Sequence, residues 1–580
     1  MRPRYLGCWS PDDSKPAVAA IAAADPGLPV RVDTPHLALA ADPSLPLLAI
    51  DDCGIVIGAV FGDGRPNAFD AFDLDDRTAI AASRGGVLVE RHWGSYLAVL
   101  PPGESEELTL CRGPFGHLSC YTRWAQGRWW FASDAALLAA AGGAPPFDPD
   151  ALARHLAYPE LADEETCLGG VHDLRGGDRV VLGAGGTRHS RTCWSPWSFA
   201  ERATRCTDRD EASRRIRDAT RLAVTAHASL HDRVLLLLSG GLDSSIVAAC
   251  LKSNGGRASA LTFVTTDRIG DEREFARIAA AGTGLDLTER FRESDGVCFE
   301  RSAAASLPRP MARAFNQESH RLATVEARSV GATAIFDGGG GDNLFCSHRS
   351  VAAVADCLLT DGFGQAFAAT ARALGSLTHA GLPRVVAGAI KRAWFRPAGL
   401  RLVRDTSFLS PRAAAIGVAR PDHPWLVAPP GALPGRAVHV SLLATAQASI
   451  ESGGVAGEID RVSPIVTQPV AEACLQIPSH FWFAPGHDRA AARRAFADAL
   501  PARIIDRRSK GSPAPFAASL LEQRRESLKP FLLDGVLAGH GLLDTEAVRA
   551  FLDDPAPQRG FGFTRFLTVI DAEAWARNWA

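Results

Sequence analysis

The sequence predicts an α/β protein of two domains, a β-rich one followed by a doubly wound one. Three observations predict it. At 580 residues the chain is too long for one ordinary core. Over roughly the first 200 residues, short apolar runs are punctuated by Gly, Pro and Asp, the pattern of short strands joined by turns. Beyond that, apolar runs of strand length alternate with amphipathic stretches of helix length, the pattern of a parallel sheet wound with helices. The expected domains are 1–205 and 206–580.

In the first domain the runs 47–50, 55–60, 87–89, 96–100, 108–110, 129–132 and 180–182 read as strands. Residues 200–210 are polar and charged, and a helix begins near Glu211. In the second domain 234–238, 258–264 and 333–336 read as strands, with helices from Ser244 and Glu272. Residues 352–393 read as helical. Residues 394–440, rich in Pro, Arg and Gly, follow no period, and from His439 onward the pattern is mainly helical.

Composition narrows the function classes. Hydrophobic content of 46% and charged content of 22% are globular values. A net charge of −3 gives no sign of a nucleic-acid-binding surface. The 12 Cys are scattered without a Cys-x-x-Cys pair, so reduced, mostly buried thiols of a cytoplasmic protein are expected. The residues after Met1 lack the apolar core of a signal peptide, and no apolar run approaches the roughly 20 residues of a membrane span. The expected partners therefore include neither nucleic acid nor membrane.

The most specific motif is Ser239-Gly240-Gly241-Leu242-Asp243-Ser244-Ser245. It joins a buried strand to a helix through a tight Gly-Gly turn. Free backbone N–H groups, serine hydroxyls and a helix N-terminus at one point make a phosphate site. A Walker loop would carry Gly-Lys-Ser/Thr. An Asp in place of that Lys suits a metal-bridged pyrophosphate leaving group. The plain alternative is a strand–turn–helix with a Ser/Asp cap. A second loop, Asp337-Gly338-Gly339-Gly340-Gly341-Asp342-Asn343, also follows a short strand. In a parallel sheet both loops face the crevice at the carboxyl ends of the strands. Glycine lets the backbone approach a ligand closely. Asp243 and Asp342 are expected to hold one Mg²⁺ between them, with phosphate oxygens and water completing its shell.

The first motif resembles the signature of the ATP pyrophosphatases, which make adenylates. Over nearly its whole length the chain resembles the asparagine synthetase B superfamily. That resemblance implies an Ntn-type, class II glutamine amidotransferase-like domain followed by a synthetase domain of the adenine-nucleotide α-hydrolase (PP-loop) kind. Arg112-Gly113-Pro114-Phe115-Gly116-His117-Leu118-Ser119-Cys120-Tyr121, Phe131-Ala132-Ser133-Asp134 and the run 170–177 are similar to amidotransferase segments. The glutaminase features are missing. Position 2 is Arg2 rather than the nucleophilic Cys, and no Asn-Gly-Glu occurs. Cys8 lacks the following Gly and reads as a buried strand cysteine. The nitrogen is therefore expected from a source other than glutamine.

Among relatives without that nucleophile, β-lactam synthetases carry Tyr where this chain has Gly339, and asparagine synthetases carry Glu. Gly338 to Cys346, Ser463 to Val470, Gly486 to Arg489, Arg493 to Pro501 and Ile504 to Gly511 are similar to lasso-peptide cyclases. That resemblance implies an ATP-dependent macrolactam synthetase acting on a leader-cleaved precursor peptide. A side-chain carboxylate of an Asp or Glu is adenylated, pyrophosphate leaves, and the peptide's N-terminal amine closes an isopeptide bond as AMP departs. In this reading Ser239, Gly240, Gly241, Asp243, Ser244, Ser245 and Gly338 bind ATP. Val264, at the end of its strand, offers backbone contacts to adenine. Asp243 and Asp342 bind Mg²⁺, and Lys510 and Asp342 serve catalysis. Arg489 and Arg494 are candidate contacts to phosphate or carboxylate, and the run 481–483 reads as core. A leader peptidase and a leader-recognition protein are the implied protein partners. The alternatives are a β-lactam-synthetase-like or asparagine-synthetase-like amide ligase, and a degenerate synthetase kept as a scaffold.

Overall fold

The computed structural model describes residues 3–11, 15–50, 54–101, 107–201, 206–252, 257–265, 270–396, 398, 402–453, 459–554 and 561–580. Arg2 and the expected boundary at 202–205 lie outside the described residues.

The N-terminal part is two six-stranded antiparallel sheets. The first runs, edge to edge, Val171–Asp173, Tyr121–Ala125, Arg128–Ala132, Tyr5–Trp9, Leu37–Ala41 and Val30–Asp33. The second runs Arg188–Thr192, Asp178–Gly183, Glu107–Arg112, His92–Leu100, Ile55–Gly62 and Leu47–Ala49. Strand alternation explains the layering. Tyr5, Trp9, Leu37 and Leu39 meet Ile57, Leu97, Leu108 and Leu110 between the sheets. Their neighbours Leu6, Cys8, Ala38 and Ala40 point the other way.

Neither outer face is left to solvent. The outer face of the first sheet shares a core with Leu520, Leu528, Phe566 and Trp575, from helices Ala514–Leu533 and Phe561–Ala576. On the second sheet Phe61 stacks on Trp93 at 4.6 Å, and His227 of helix Arg209–Ser229 meets the two rings edge-on at 5.8 and 6.0 Å. One expectation fails: 87–89 is not a strand but the middle of helix Gly86–Arg91, which starts after a left-handed Gly85.

The second sheet system is five-stranded and wholly parallel, in the order Leu287–Phe291, Ala258–Val264, Val234–Leu237, Ala334–Phe336, Asp460–Val462. Helices cover both faces. Leu235, Leu261 and Ile335 pack on Ala323 and Ala327 of helix Gln317–Ser329. Val234, Leu236, Ala260 and Phe336 share the opposite core with Ile246 and Ala279 of helices Leu242–Leu251 and Arg273–Thr283. This is the expected doubly wound pattern, with two strands the sequence did not signal, Leu287–Phe291 and Asp460–Val462. Val234–Leu237 and Ala334–Phe336 lie side by side. The chain leaves them toward opposite edges, which opens a crevice at their carboxyl ends.

The stretch 352–393 is three helices, Ala352–Asp361, Gln365–Thr378 and Leu382–Trp394. Phe481, Trp482 and Phe483 are buried core, as expected. Among the described residues no helix is long and apolar enough to cross a membrane.

Candidate active site

Both glycine loops emerge into that crevice. Gly240 sits at φ +65°, and a Cβ there would lie 2.2 Å from the carbonyl carbon of Phe275. Backbone packing therefore requires glycine at this turn. Gly241 begins the helix without a side-chain cap. Ser239 Oγ accepts from Gly241 N at 3.2 Å and lies 3.2 Å from Ser244 Oγ, so the two serines hold the loop open around its amides. Ser245 is placed differently. It is fully buried, and its Oγ has no partner.

The second loop touches the first through backbone. A Cβ on Gly338 would lie 2.5 Å from Ser244 N, and one on Gly341 would lie 2.5 Å from the Asp243 Cβ. Gly339 N donates to Asp337 Oδ1 at 2.8 Å, and Ser463 Oγ donates to the same oxygen at 2.6 Å. A side chain at 339 would collide with both partners at 2.8 Å. A side chain there would have to displace the Asp337–Ser463 pair.

Gly240→Ala should lose at least about 1–3 kcal/mol of stability from the left-handed backbone alone. Gly241→Ala, with φ −71° and only Ser239 Oγ at 3.2 Å, should be nearly silent. Urea unfolding of the two variants checks this, and equal losses would contradict the packing argument.

Asp243 and Asp342, one from each loop, converge on a single cation. Arg489 Nη1 donates to Asp243 Oδ2 at 2.8 Å and to Asp342 Oδ1 at 2.5 Å. Lys510 Nζ donates to the other Asp342 oxygen. Asp488 closes the cluster: it accepts from Ser347 Oγ at 2.6 Å and lies 3.4 Å from Arg489 Nε. Burial pushes the Asp243 carboxyl up to about 6, against the pull of Arg489 and with a further push from Asp342. Burial works to lower the Arg489 pKa, but Asp243 and Asp342 outweigh it and raise it. Partial loss of water around the Lys510 ammonium works to lower its pKa, and Asp342 outweighs it and raises it.

A single nitrogen reaches both carboxylates, so one small cation could sit between them, and two carboxylates are a donor set that suits Mg²⁺. That ion commonly takes one or two protein carboxylates and leaves its other positions to phosphate and water. Among the described residues no group of three or more His, Cys, Asp or Glu gathers as a metal site.

The strap that carries Lys510 is tied to the first loop. Arg507 lies 3.9 Å over the Phe275 ring, donates to Ser239 O at 3.2 Å and to Glu272 Oε1 at 2.8 Å, and Glu272 also accepts from Gly511 N at 3.0 Å. Arg507 is thus a buried clamp, while the Lys510 side chain is 65% exposed at the mouth. Arg494 pairs with Asp210 on the surface and stands outside the cluster.

Two cavities lie along the glycine loops, and none of Asp243, Asp342, Arg489 or Lys510 lines either. One of about 280 Å³ is lined by Leu261, Thr262 and Phe263, with Ser239 and Gly511 at its rim. Val264 is not among its walls, and its carbonyl accepts from Arg292 N at 3.0 Å. Thr262 and Phe263, just before Val264 on the same strand, do line this cavity. The other cavity, of about 490 Å³, has the size of a small-molecule site. It lies between Phe115 and His117 of the N-terminal part and Gly339, Gly340 and Ser463 of the second loop region. Asn316, His320 and Arg461 line both. Burial, helped by Arg461, lowers His320 to about 3, so it stays neutral. Arg461 Nη1 is buried without a hydrogen-bond partner, and the Arg461 guanidinium lies 3.9 Å from Asp337. Neither Arg461 nor His320 belongs to a motif, and no signal in the sequence marks them.

Cys8 lies inside strand Tyr5–Trp9, fully buried, and burial pushes its thiol up to about 12.

Residues 215–377 and 458–577 match the family model Asparagine synthase. No curated protein matches the chain. Solved structures that are similar include the allosteric regulatory enzyme of purine biosynthesis, at 10% identity over 51% of this chain and 82% of that one, with a TM-score of 0.20. They also include glutamine phosphoribosylpyrophosphate amidotransferase from B. subtilis complexed with ADP and GMP, at 10% identity over 58% and 81%, with a TM-score of 0.20. At that score neither likeness carries an argument.

Proposed function

We propose, from the asparagine synthase match and the site geometry, that this chain is an ATP-dependent amide ligase of the lasso-peptide cyclase kind. It would adenylate the side-chain carboxylate of an Asp or Glu in a leader-cleaved peptide, release pyrophosphate, and join that carbon to the peptide's own N-terminal amine as AMP leaves. The observation that carries the reading is the shared cation point of Asp243 and Asp342, one from each of two glycine loops whose Ser239, Gly339 and Gly340 line the neighbouring cavities.

ATP supplies a phosphate leaving group that a carboxylate lacks, and Mg²⁺ held by Asp243 and Asp342 would neutralise the phosphate charge. The chain's own groups divide the remaining work. The first amides of helix Leu242–Leu251 would take the leaving pyrophosphate, while those of Ser239 and Gly241 are held by Ser244 Oγ and Ser239 Oγ. Lys510, exposed at the mouth and paired with Asp342, offers its ammonium to charge developing on the α-phosphate and on the tetrahedral oxyanion. Arg461, on the wall common to both cavities, orients the substrate carboxylate. A free α-amine has a pKa of roughly 7.7–8, so much of it is already neutral near pH 8. The amine still sheds one proton as the amide forms, and with no side chain at Gly339 to take it, that proton would pass to solvent. Holding both peptide ends in one cavity replaces a bimolecular encounter, an advantage of roughly 7–11 kcal/mol. A leader peptidase and a leader-recognition protein would supply the cleaved substrate.

The test is ATP–pyrophosphate exchange with purified protein. Exchange dependent on a leader-free peptide bearing an internal Asp or Glu supports the cyclase. Exchange with free aspartate would replace it with asparagine-synthetase-type chemistry. Absence of exchange with every acid would favour the scaffold. Lys510→Met should lower the exchange rate by about 10²–10³-fold at saturating ATP, the usual loss for one charge-stabilising donor. A rate within a few-fold of the parent would remove Lys510 from the chemistry.

A further inference from the structure

Helix Leu382–Trp394 lies outside the two segments matched by the family model. Val385 and Ala389 form its buried face, which packs against helices Ala352–Asp361 and Gln365–Thr378. The other face is open. Trp394 is 56% and Phe395 75% exposed, with Leu382 at 45%. Arg384, Lys391 and Arg396 are exposed around them.

The local charge is one-sided. Residues 362–404 contain seven Arg and Lys and no Asp or Glu, in a chain whose net charge is −3. Among the described residues, Arg384, Lys391, Arg396 and Arg404 enter no salt bridge. Water-exposed Trp and Phe beside unpaired cations on an amphipathic helix have a physical counterpart in a surface that is apolar just beneath an anionic layer.

We propose that this face attaches the protein peripherally to an anionic membrane. Trp394 and Phe395 enter the headgroup boundary, and Arg384, Lys391 and Arg396 reach lipid phosphates by extending their stems along the interface. An acidic protein is the less favoured occupant. Protein interfaces seat their aromatic anchors in shaped pockets of the partner, whereas the lipid boundary accepts exposed rings and a one-sided positive charge without a matching shape. The expectation that membranes play no part rested on the lack of a spanning segment, and surface attachment needs none. The proposal is independent of the ligase chemistry.

The experiment is co-sedimentation of the full chain with vesicles of phosphatidylcholine alone and of phosphatidylcholine with phosphatidylglycerol. Binding should appear with the anionic vesicles only and weaken as salt is added. The Trp394→Ser/Phe395→Ser and Arg384→Glu/Lys391→Glu double variants should each bind at least about tenfold more weakly. Both should melt by circular dichroism at the parent temperature, which separates lost attachment from lost folding. Three results would overturn the proposal: no binding to either vesicle, equal binding to both, or binding untouched by either variant. Two others would reassign the face. A self-associated chain that Trp394→Ser/Phe395→Ser makes monomeric would give it to a second copy. Retention of the parent on polyglutamate, but not on vesicles, would give it to an acidic polypeptide.

Discussion

Asp243→Asn should abolish peptide-dependent ATP–pyrophosphate exchange, by about 10³-fold or more, while leaving the fold intact. The substitution keeps size and shape but removes one of the two carboxylates that share a cation point. Arg489 then has neither enough negative charge to share nor a partner ligand to yield to. The loss should exceed the roughly 10²–10³-fold typical of a single donor, because one of the two carboxylates proposed to hold Mg²⁺ would be gone. The fold should survive, since Arg489 keeps Asp342 and Asp488. Exchange kinetics and a thermal melt on the same preparation check both halves. A variant that exchanges at the parent rate would show that Asp243 only holds Arg489 in place. A variant that does not fold would make the cluster structural.

The second large effect lies at the seam between the two parts of the chain. Arg112 is fully buried and donates to Leu118 O and Leu174 O at 2.9 Å each. It pairs with Glu451 at 2.6 Å and lies 3.9 Å from Asp173, which in turn pairs with Arg309 at 2.8 Å. Two cations and two anions thus neutralise one another away from water, and each belongs to a different segment. Removing one member leaves an uncompensated charge in a medium of low polarisability. Arg112→Met should therefore cost about 3–5 kcal/mol in urea unfolding. Adding Glu451→Met should recover part of that loss, because both ends of the closest pair are then apolar. A double variant as unstable as the sum of its singles would show that Arg112 acts mainly through its carbonyl contacts.

The sequence exposed the parts of this molecule that local chemistry dictates. Val234–Leu237 and Ala258–Val264 are apolar enough to be read as buried strands, and the Gly-Gly turn between strand and helix has few conformational alternatives. What stayed hidden was set by distant contacts. Asp460–Val462 is three residues long, two of them charged, and becomes a strand only because Ala334–Phe336 offers it a partner. Residues 87–89 have a strand's composition but follow a left-handed Gly85, which turns the chain into a helix. Within the site, Asp243, Asp342 and Lys510 stood in motifs, and the structure brings them together. The role of Arg489 could not be read, because nothing local to 489 says that two carboxylates more than a hundred residues upstream will meet there. Ser245 stood in the motif yet faces the interior, and Val264 closes its strand yet lies off the cavity wall.

The N-terminal sandwich has both outer faces occupied by segments from beyond residue 205. A gene divided at that point would yield two polypeptides, each with a broad oily surface. Neither should remain dispersed when produced by itself. Synthesised together, they should reassemble into one particle, because the faces were shaped for each other. The N-terminal half would then be indispensable at least as a wall, since its Phe115 and His117 close one side of the larger cavity.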